Sequence, residues 1–387
     1  MSRYEETAVV FLEKARSWCL HSATLLNMPP NLYFRLGMVV LFCTFSVVGC
    51  SNLPPMQHEE TQTLGVTQTP VIQAPESNIR IPAQSDWVDY GIVFEAGAPG
   101  EWDLYLWGGF AFSVIKNDGT YYLYYQGSSD YRTEFDETVL WRAIGVATSK
   151  DGIHFTKYEG NPILTWFPNQ MGEEGAVSSG ITLGEQGDTF LFYGANTHES
   201  PITVNADVRV ATSLDGFNFT DLGVVLNHMD KSVWGSGDEL FSVDAIYDSG
   251  QWIVYYIPNG VAESGLLGVA YGHQYNKLDQ SSAVTSGGKP ISVWGTAGHV
   301  KLDQDIYALM LNNVREQRTE VRLLSLQTPN ILSQPVAVYD FDEVQQAVFL
   351  LDEENETWFM YYRTIVNSYG VKLASASDKP LPAPSTP

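Results

Sequence analysis

Cysteine is scarce in this sequence and is confined to its N-terminal part. Its three cysteines are Cys19, Cys43 and Cys50, and none follows in the rest of the 387-residue chain. A disulfide framework and a cysteine-based zinc site are therefore excluded beyond residue 50. The seven histidines are scattered singly, without an HExxH motif, so the sequence predicts no metal site.

Positive charge is also in short supply. Lys and Arg number 21 against 45 Asp and Glu, which gives a formal net charge of -24. A nucleic-acid partner needs a basic face and is therefore not expected. Broad adsorption to anionic lipid is excluded for the same reason. No phosphate loop or nucleotide fingerprint is present, and the sequence requires no cofactor.

A long hydrophobic run is missing, but a short one precedes a cysteine. Residues 36–48 form an apolar run of about 13 residues, whereas a spanning helix needs about 20. The run follows Arg35, which is typical of a secretory signal. Its end, Val47-Val48-Gly49-Cys50, resembles the lipobox of bacterial lipoproteins, and this resemblance implies cleavage before Cys50 and lipidation of its thiol. An ordinary signal peptide and a buried apolar segment are the alternatives.

The composition predicts four segments. Residues 1–49 are a signal peptide with an N-terminal extension, and residues 50–85, rich in Pro, Gln, Thr and Ser, are the lipidated cysteine and a flexible tether. Residues 86–380 are the folded body, and residues 381–387 a disordered tail. The expected location is the cell envelope, with a lipid anchor in the membrane. In a Gram-negative host we expect the outer membrane, because Ser51 rather than aspartate follows the cysteine.

Helical periodicity is absent from the body, and a repeat takes its place. Strand-like aromatic segments recur at Tyr121–Tyr125, Thr189–Tyr193, Trp252–Tyr256, Asp305–Leu309 and Trp358–Tyr362. Each is followed by a segment related to the Ile-Gly-Val-Ala-Thr-Ser of residues 144–149, and Asp-Gly or Ser-Gly pairs mark hairpin turns. The pattern predicts an all-β fold, a five-bladed β-propeller. A β-sandwich is the competitor, but it does not predict five matched units.

Three of these segments carry a family resemblance. Tyr121–Tyr125, residues 144–155 (IGVATSKDGIHF) and residues 160–164 (GNPIL) resemble the five-bladed propeller glycoside hydrolases. That superfamily includes families 43, 32, 68 and 130. The resemblance implies an enzyme that cleaves glycosidic bonds with paired carboxylates, which meet at one end of a central channel. Most of the matching residues belong to the scaffold, and fold alone does not define a reaction.

The resemblance places one catalytic acid on each of the first three blades. The candidates are Asp103, Glu174 and Asp244. Asp244 is the strongest candidate, because it lies in an apolar strand, where a charged residue is rare unless it is paired or functional. A buried structural aspartate is its alternative, and a loop acid is the alternative for the other two. In blade one Ser113 stands where Asp244 stands in blade three, so one expected acid is displaced or absent.

The predicted substrate-binding residues are Trp102, Trp107, Trp234, His299 and Glu343. His299 is included because the resemblance implies a histidine on the fourth blade. Indole rings stack on the C–H faces of sugars, although packing between blades explains a tryptophan equally well. A calcium ion in the channel stays an open alternative. The leading hypothesis is a lipid-anchored, monomeric glycosidase with a carbohydrate substrate. A carbohydrate-binding propeller without activity and a surface interaction scaffold are the other two.

Overall fold

Antiparallel β-strands provide nearly all the regular structure. The structure is a computed structural model that describes residues 79–106, 112–128, 142–165, 176–200, 203–237, 239–259, 265–293, 297–313, 318–340, 344–364 and 370–376. Within these ranges the helical part is a short 3-10 helix, Gln84–Asp86, and no helix has the length and apolar character of a membrane span. Cys50, the predicted signal and most of the predicted tether lie outside the described residues.

The strands follow one another in groups, which we number one to five. An N-terminal strand, β1 (Val88–Glu95), comes first. Group one contains β2 (Tyr105–Leu106), β3 (Phe112–Asn117), β4 (Thr120–Ser128), β5 (Arg142–Ser149), β6 (Thr156–Lys157) and β7 (Leu164–Thr165). Group two contains β8 (Ala176–Leu183), β9 (Thr189–Ser200), β10 (Thr203–Ser213) and β11 (Thr220–Leu226). Group three contains β12 (Glu239–Asp248), β13 (Gln251–Asn259), β14 (Gly268–Gly272) and β15 (Gln280–Ala283). A small hairpin follows, β16 (Thr285–Ser286) and β17 (Lys289–Pro290). Group four contains β18 (Ala297–Lys301), β19 (Ile306–Asn313), β20 (Arg318–Ser325) and β21 (Ala337–Tyr339), and group five β22 (Val344–Asp352), β23 (Thr357–Thr364) and β24 (Gly370–Ala376).

The repeat found in the sequence corresponds to these groups. The predicted aromatic segments lie in β4, β9, β13, β19 and β23, with Asp305 just ahead of its strand. The related segments lie in the next strand of each group, except that Leu267 precedes β14. Ser249 and Gly250 both have positive φ, 52° and 77°, as a tight turn between twisted strands requires. The predicted all-β fold is confirmed.

Strand pairing joins two of the groups and connects the last group to the first strand. In groups two to five the strands pair antiparallel in chain order, and β3 to β6 of group one do so as well. In group one β2 pairs with β4 and β7 with β5, and β1 adds to the outer edge of group five by pairing with β24. One parallel pairing, Ala206 with Glu239, joins groups two and three into an eight-stranded sheet. Strand pairing alone therefore does not divide the molecule into five separate sheets.

In group one we count from β3, because β2 has only two residues and pairs with β4, so that β3, β8, β12, β18 and β22 are the first strands of the five groups. These first strands contact each other in a cycle. Strand β3 contacts β8, β8 contacts β12, β12 contacts β18, β18 contacts β22, and β22 contacts β3. The buried apolar residues form clusters, each of which combines side chains of two consecutive groups. Among them is a cluster of groups five and one, in which Phe359 and Tyr361 pack with Leu123 and Phe112. The buried apolar clusters of the described body thus lie between neighbouring groups.

Tyrosine hydroxyls connect neighbouring groups at equivalent places. Tyr361 of β23 donates to the carbonyl of Gly152 at 2.9 Å, and Tyr124 of β4 donates to the carbonyl of Gly216 at 3.1 Å. Tyr255 of β13 donates in the same way to the carbonyl of Pro329 at 2.9 Å. Each bond runs from the second strand of one group to the turn beyond the third strand of the next. The aromatic strands therefore supply both apolar area and defined contacts between groups.

Candidate active site

A cavity of about 270 Å³ lies among the first strands of the five groups. Its described lining includes side chains of β3, β8, β12, β18 and β22, with Tyr307 of β19 beside them. The residues that give it chemical character are Ser113, Lys116, Asp244, His299, Lys301 and Glu353. The cavity is therefore built by the repeat itself, because every group contributes its first strand to the wall.

Asp244 is the buried carboxylate of this cavity. It lies in β12 and is only 5% exposed, between the fully buried Ala245 and the nearly buried Val243. The pairing of β12 with β13 shifts between Ser242 and Asp244, so a β-bulge immediately precedes the aspartate. Bulges re-aim the side chains next to them. The strand position that the sequence singled out is thus a cavity position.

His299 is the partner of Asp244 across the cavity. Its Nδ1 lies 3.1 Å from each carboxylate oxygen of Asp244, and the backbone N–H of Ala245 donates to Oδ1 at 2.9 Å. Because an ionised carboxylate only accepts hydrogen bonds, the proton of this pair belongs on Nδ1. In the neutral imidazole Nε2 then keeps its lone pair. The pair therefore combines a buried carboxylate with an imidazole ring that hydrogen-bonds to both of its oxygens.

Gly180 lets strand β8 approach β12 next to Asp244. A Cβ at Gly180 would lie 2.5 Å from the carbonyl carbon of Asp244 and 2.8 Å from the nitrogen of Ala245. Both atoms belong to the backbone, so only a glycine fits without displacing the strand. Thr182, two residues further along β8, accepts a hydrogen bond from the backbone N–H of Tyr247 at 3.0 Å. These contacts hold the backbone that carries Asp244.

Two lysines in the cavity wall are already neutralised by aspartates. Lys116 binds Asp352 at 2.7 Å, and Lys301 binds Asp248 at 2.5 Å. Burial alone would raise the pKa of each aspartate, but hydrogen bonds from lysine and tyrosine outweigh it and hold the pKa below its usual range. Tyr121 donates to Asp352 and Tyr307 to Asp248. These ion pairs connect neighbouring groups and leave Asp244 as the buried carboxylate without a lysine partner among the described cavity residues.

Asp103 has different surroundings from Asp244. Its carboxylate is 1% exposed, accepts a hydrogen bond from Tyr125 at 3.0 Å and forms an ion pair with Lys157 at 2.7 Å. It is not among the described residues that line the cavity, whereas Ser113 of the same group is. The structure therefore does not bring Asp103 together with Asp244. Its catalytic role stays a prediction, and the lysine partner supports a structural role.

The two described tryptophan candidates pack against their own sheets. Trp102 stacks on Tyr125, with ring centroids 5.7 Å apart. Its indole ring also packs directly over Gly145, where a Cβ would lie 2.8 Å from the ring. Trp234 covers the equivalent Gly268 of group three, and its carbonyl accepts a hydrogen bond from Tyr256 at 2.8 Å. This equivalence explains both indoles by packing, and their predicted sugar contacts stay untested.

Other predicted site residues lie outside the described ranges, namely Glu174, Trp107, Glu343 and Cys50. Within the described ranges no group of three or more His, Cys, Asp or Glu is arranged to hold a metal ion. Sequence reasoning missed Lys116, Lys301 and Gly180. The signal that could have found the lysines is their place at or next to the end of a first strand, just before the turn into an aromatic strand.

The fold has counterparts among solved structures. No family model and no curated protein matches this chain. A family 117 glycoside hydrolase of the marine bacterium Zobellia galactanivorans is 15% identical, covers 75% of this chain and 89% of its own, and has a TM-score of 0.51. A glycosyl hydrolase of Bacteroides ovatus is 12% identical, covers 76% and 93%, and has a TM-score of 0.47. A GH43 enzyme of Xanthomonas citri is 14% identical, covers 73% and 89%, and also has a TM-score of 0.47.

The first of these likenesses shows that the chain has the fold of a glycoside hydrolase. The sequence motifs predicted a likeness to glycoside hydrolases, and the comparison confirms it for the fold alone. A shared fold does not transfer an activity, because function depends on the site.

Proposed function

We propose that the chain is a five-bladed β-propeller that cleaves glycosidic bonds of an oligosaccharide at its central cavity. The five-blade count is supported by the cyclic contacts of the first strands and by the apolar clusters between consecutive groups. The observation that carries the function is Asp244, a buried carboxylate that faces this cavity and binds His299.

In this proposal Asp244 is one of the two carboxyl groups that glycoside cleavage needs. It serves as nucleophile or as base for water, and His299 orients its carboxylate. Glu174 is the proposed second group, the acid that protonates the leaving oxygen. A separation of about 5–5.5 Å between the two carboxyl groups would give retention, and about 6.5–9.5 Å inversion.

A second candidate function is carbohydrate binding without cleavage. Ser113 occupies the group-one position that corresponds to Asp244, and Asp103 is bound to Lys157. Paired-carboxylate chemistry fails when one acid is missing. If Glu174 does not complete the pair, the cavity still offers Asp244, His299 and Ser113 as hydrogen-bonding partners for sugar hydroxyls.

The test is hydrolysis of a panel of plant and microbial oligosaccharides, with products followed by chromatography. We expect Asp244→Asn to lower kcat by about 10²- to 10⁴-fold with little change in melting temperature, because it keeps shape and removes charge. Asp303→Asn, at an exposed turn, is the matched control and should behave as the wild type. Binding of a sugar without turnover by the wild type would support the second candidate instead. A wild-type rate retained by Asp244→Asn would refute the catalytic role.

We further propose that Cys50 anchors the body to the cell envelope through a lipid. The support is the lipobox-like Val47-Val48-Gly49-Cys50 and the polar tether that follows it. Cys50→Ser should move the protein from the membrane to the soluble fraction and change its gel mobility, whereas Cys43→Ser should not. Unchanged membrane fractionation of Cys50→Ser would exclude this anchor.

A further inference from the structure

A second cavity, of about 250 Å³, lies on group four and away from the central one. It is bounded by the β16–β17 hairpin on one side and by β19 and β20 on the other. None of its described lining residues is shared with the central cavity. Its size suits a ligand no larger than a small sugar.

Two arginines and one glutamate of β20 face this cavity. Arg318, Glu320 and Arg322 alternate along the strand and therefore share one face. Glu320 Oε1 lies 2.7 Å from Arg318, and Glu320 Oε2 lies 2.5 Å from Arg322. Arg322 is nearly buried and also donates to the carbonyl of Ser333 at 2.9 Å. One carboxylate thus serves two guanidinium groups.

The described lining of this cavity is therefore positive, although the chain as a whole carries -24. Lys289 also lines the cavity, and Glu320 is the one acidic residue of that described lining. Two arginines and a lysine against one glutamate give the described lining a formal net charge of +2. An anionic ligand is the chemistry that such a cavity selects.

Arg318 also has hydrogen-bonding capacity that its contacts do not use. Its Nε is buried and has no hydrogen-bond partner among the described residues. The Arg318 side chain as a whole is 37% exposed, so the guanidinium keeps N–H groups that a ligand in the cavity can reach. A guanidinium presents parallel N–H groups that match the oxygens of a carboxylate or a sulfate.

We propose that this cavity binds the oxyanion group of a small acidic sugar through Arg318, with Arg322 and Lys289 adding charge. Carboxylate and sulfate ester share this chemistry. Ser286, Ser292 and Gln334 line the same cavity and offer hydroxyl and amide groups to the sugar hydroxyls. The site goes beyond the proposed hydrolytic function and does not depend on Asp244.

The experiment measures binding of D-glucuronate, glucose 6-sulfate and glucose to the whole protein by titration calorimetry. We expect at least one charged sugar to bind at least tenfold more tightly than glucose, and Arg318→Gln to abolish that advantage. Arg318→Lys keeps the charge but loses the fork geometry, so its affinity should lie between the two. If glucuronate binds and glucose 6-sulfate does not, the site is specific for a carboxylate. If glucose 6-sulfate binds and glucuronate does not, the site is specific for a sulfate ester.

Arg80→Gln is the matched control, because it removes the same charge from an exposed ion pair with Asp86 outside this cavity. It should change affinity less than twofold. Asp244→Asn should bind the charged sugar as the wild type does, which separates this site from the central one. The proposal fails if neither charged sugar binds more tightly than glucose. It also fails if a folded Arg318→Gln variant, checked by its melting temperature, binds as the wild type does.

Discussion

Two buried aspartates of this protein differ in what surrounds them. Asp103 has a lysine and a tyrosine as partners, so its charge is balanced within the fold. Asp244 has a histidine and a backbone N–H, and it faces a cavity. Burial alone does not distinguish a structural carboxylate from a functional one. The two are distinguished by the partner that balances the charge and by whether the carboxylate faces a cavity.

The closest backbone contact at the site gives a prediction for Gly180. Gly180→Ala would place a methyl group 2.5 Å from a backbone atom of Asp244, so either β8 or β12 must shift. We expect the free energy of unfolding to fall by about 1–3 kcal/mol, measured by urea denaturation. Activity should fall as well, because the shift displaces Asp244.

Gly298→Ala is the control for this variant, because Gly298 also lies in a first strand, β18. A Cβ there would lie 3.4 Å from a side-chain atom of Val348, which is close to an ordinary van der Waals contact. This variant should retain nearly all of its stability. Equal losses from the two substitutions would show that the approach at Gly180 is not special.

The sequence predicts individual site residues and their partners less completely than it predicts strands. It identified Asp244 because a charge in an apolar strand is unusual, and it identified His299 through the resemblance. It could not identify Lys157 as the partner of Asp103, or the contact of Gly180 with Asp244. These pairs are distant in the chain and meet only when whole strands pack. Strand periodicity reports which face a residue occupies, not what lies opposite.

Strands were predicted well because their signals are local. Alternating apolar residues, aromatic and β-branched side chains and Asp-Gly turns lie within a few positions of each other. Contacts between groups have no such signal. The ion pairs Lys116–Asp352 and Lys301–Asp248 each join two neighbouring groups, and we call these contacts joints. In each joint a tyrosine, Tyr121 or Tyr307, donates a hydrogen bond to the same aspartate. The first joint connects group one to group five, and the second connects group four to group three.

Asp352 gives a prediction for the joint between groups five and one. Asp352→Asn removes the charge that neutralises Lys116 and should cost about 3 kcal/mol of unfolding free energy, because a partly buried lysine loses its aspartate. Glu354→Gln is the control, since Glu354 binds the same lysine but is 77% exposed. It should cost no more than about 1 kcal/mol.

The same aspartate makes stability depend on pH. Its folded pKa is lowered, so its contribution is fully present above the unfolded value of about 3.9 and is lost as pH falls through the folded value. We therefore expect the wild-type unfolding free energy to decline more steeply than that of Asp352→Asn below about pH 4. Urea denaturation of both proteins at a series of pH values measures the difference. Parallel curves would show that Asp352 titrates normally in the fold.

At the scale of the whole molecule, the first and last strands of the described body lie side by side. Strand β1 comes from the N-terminal side of the body, and it pairs with β24, the last strand described. This pairing covers the outer edge of group five with the first strand of the described body, where a free strand edge would otherwise lie. Group five is therefore completed by a strand that precedes group one in the chain.

Circular permutation tests this closure. Val88 pairs with Ser375, so the start of β1 lies beside the end of β24, as the two strands of a hairpin do. A chain that begins at residue 97 lacks β1. Its melting temperature should be well below that of the full body, because the cluster of groups five and one loses Phe94. Reattaching residues 87–95 behind residue 376 through an Asn-Gly turn should restore most of the loss, because the strand returns to the same edge. A scrambled β1 segment in the same place should restore none. Melting temperatures are measured by circular dichroism. The interpretation of β1 as the closing strand fails if the variant without β1 has the same melting temperature as the full body. It also fails if the native and scrambled segments give the same melting temperature.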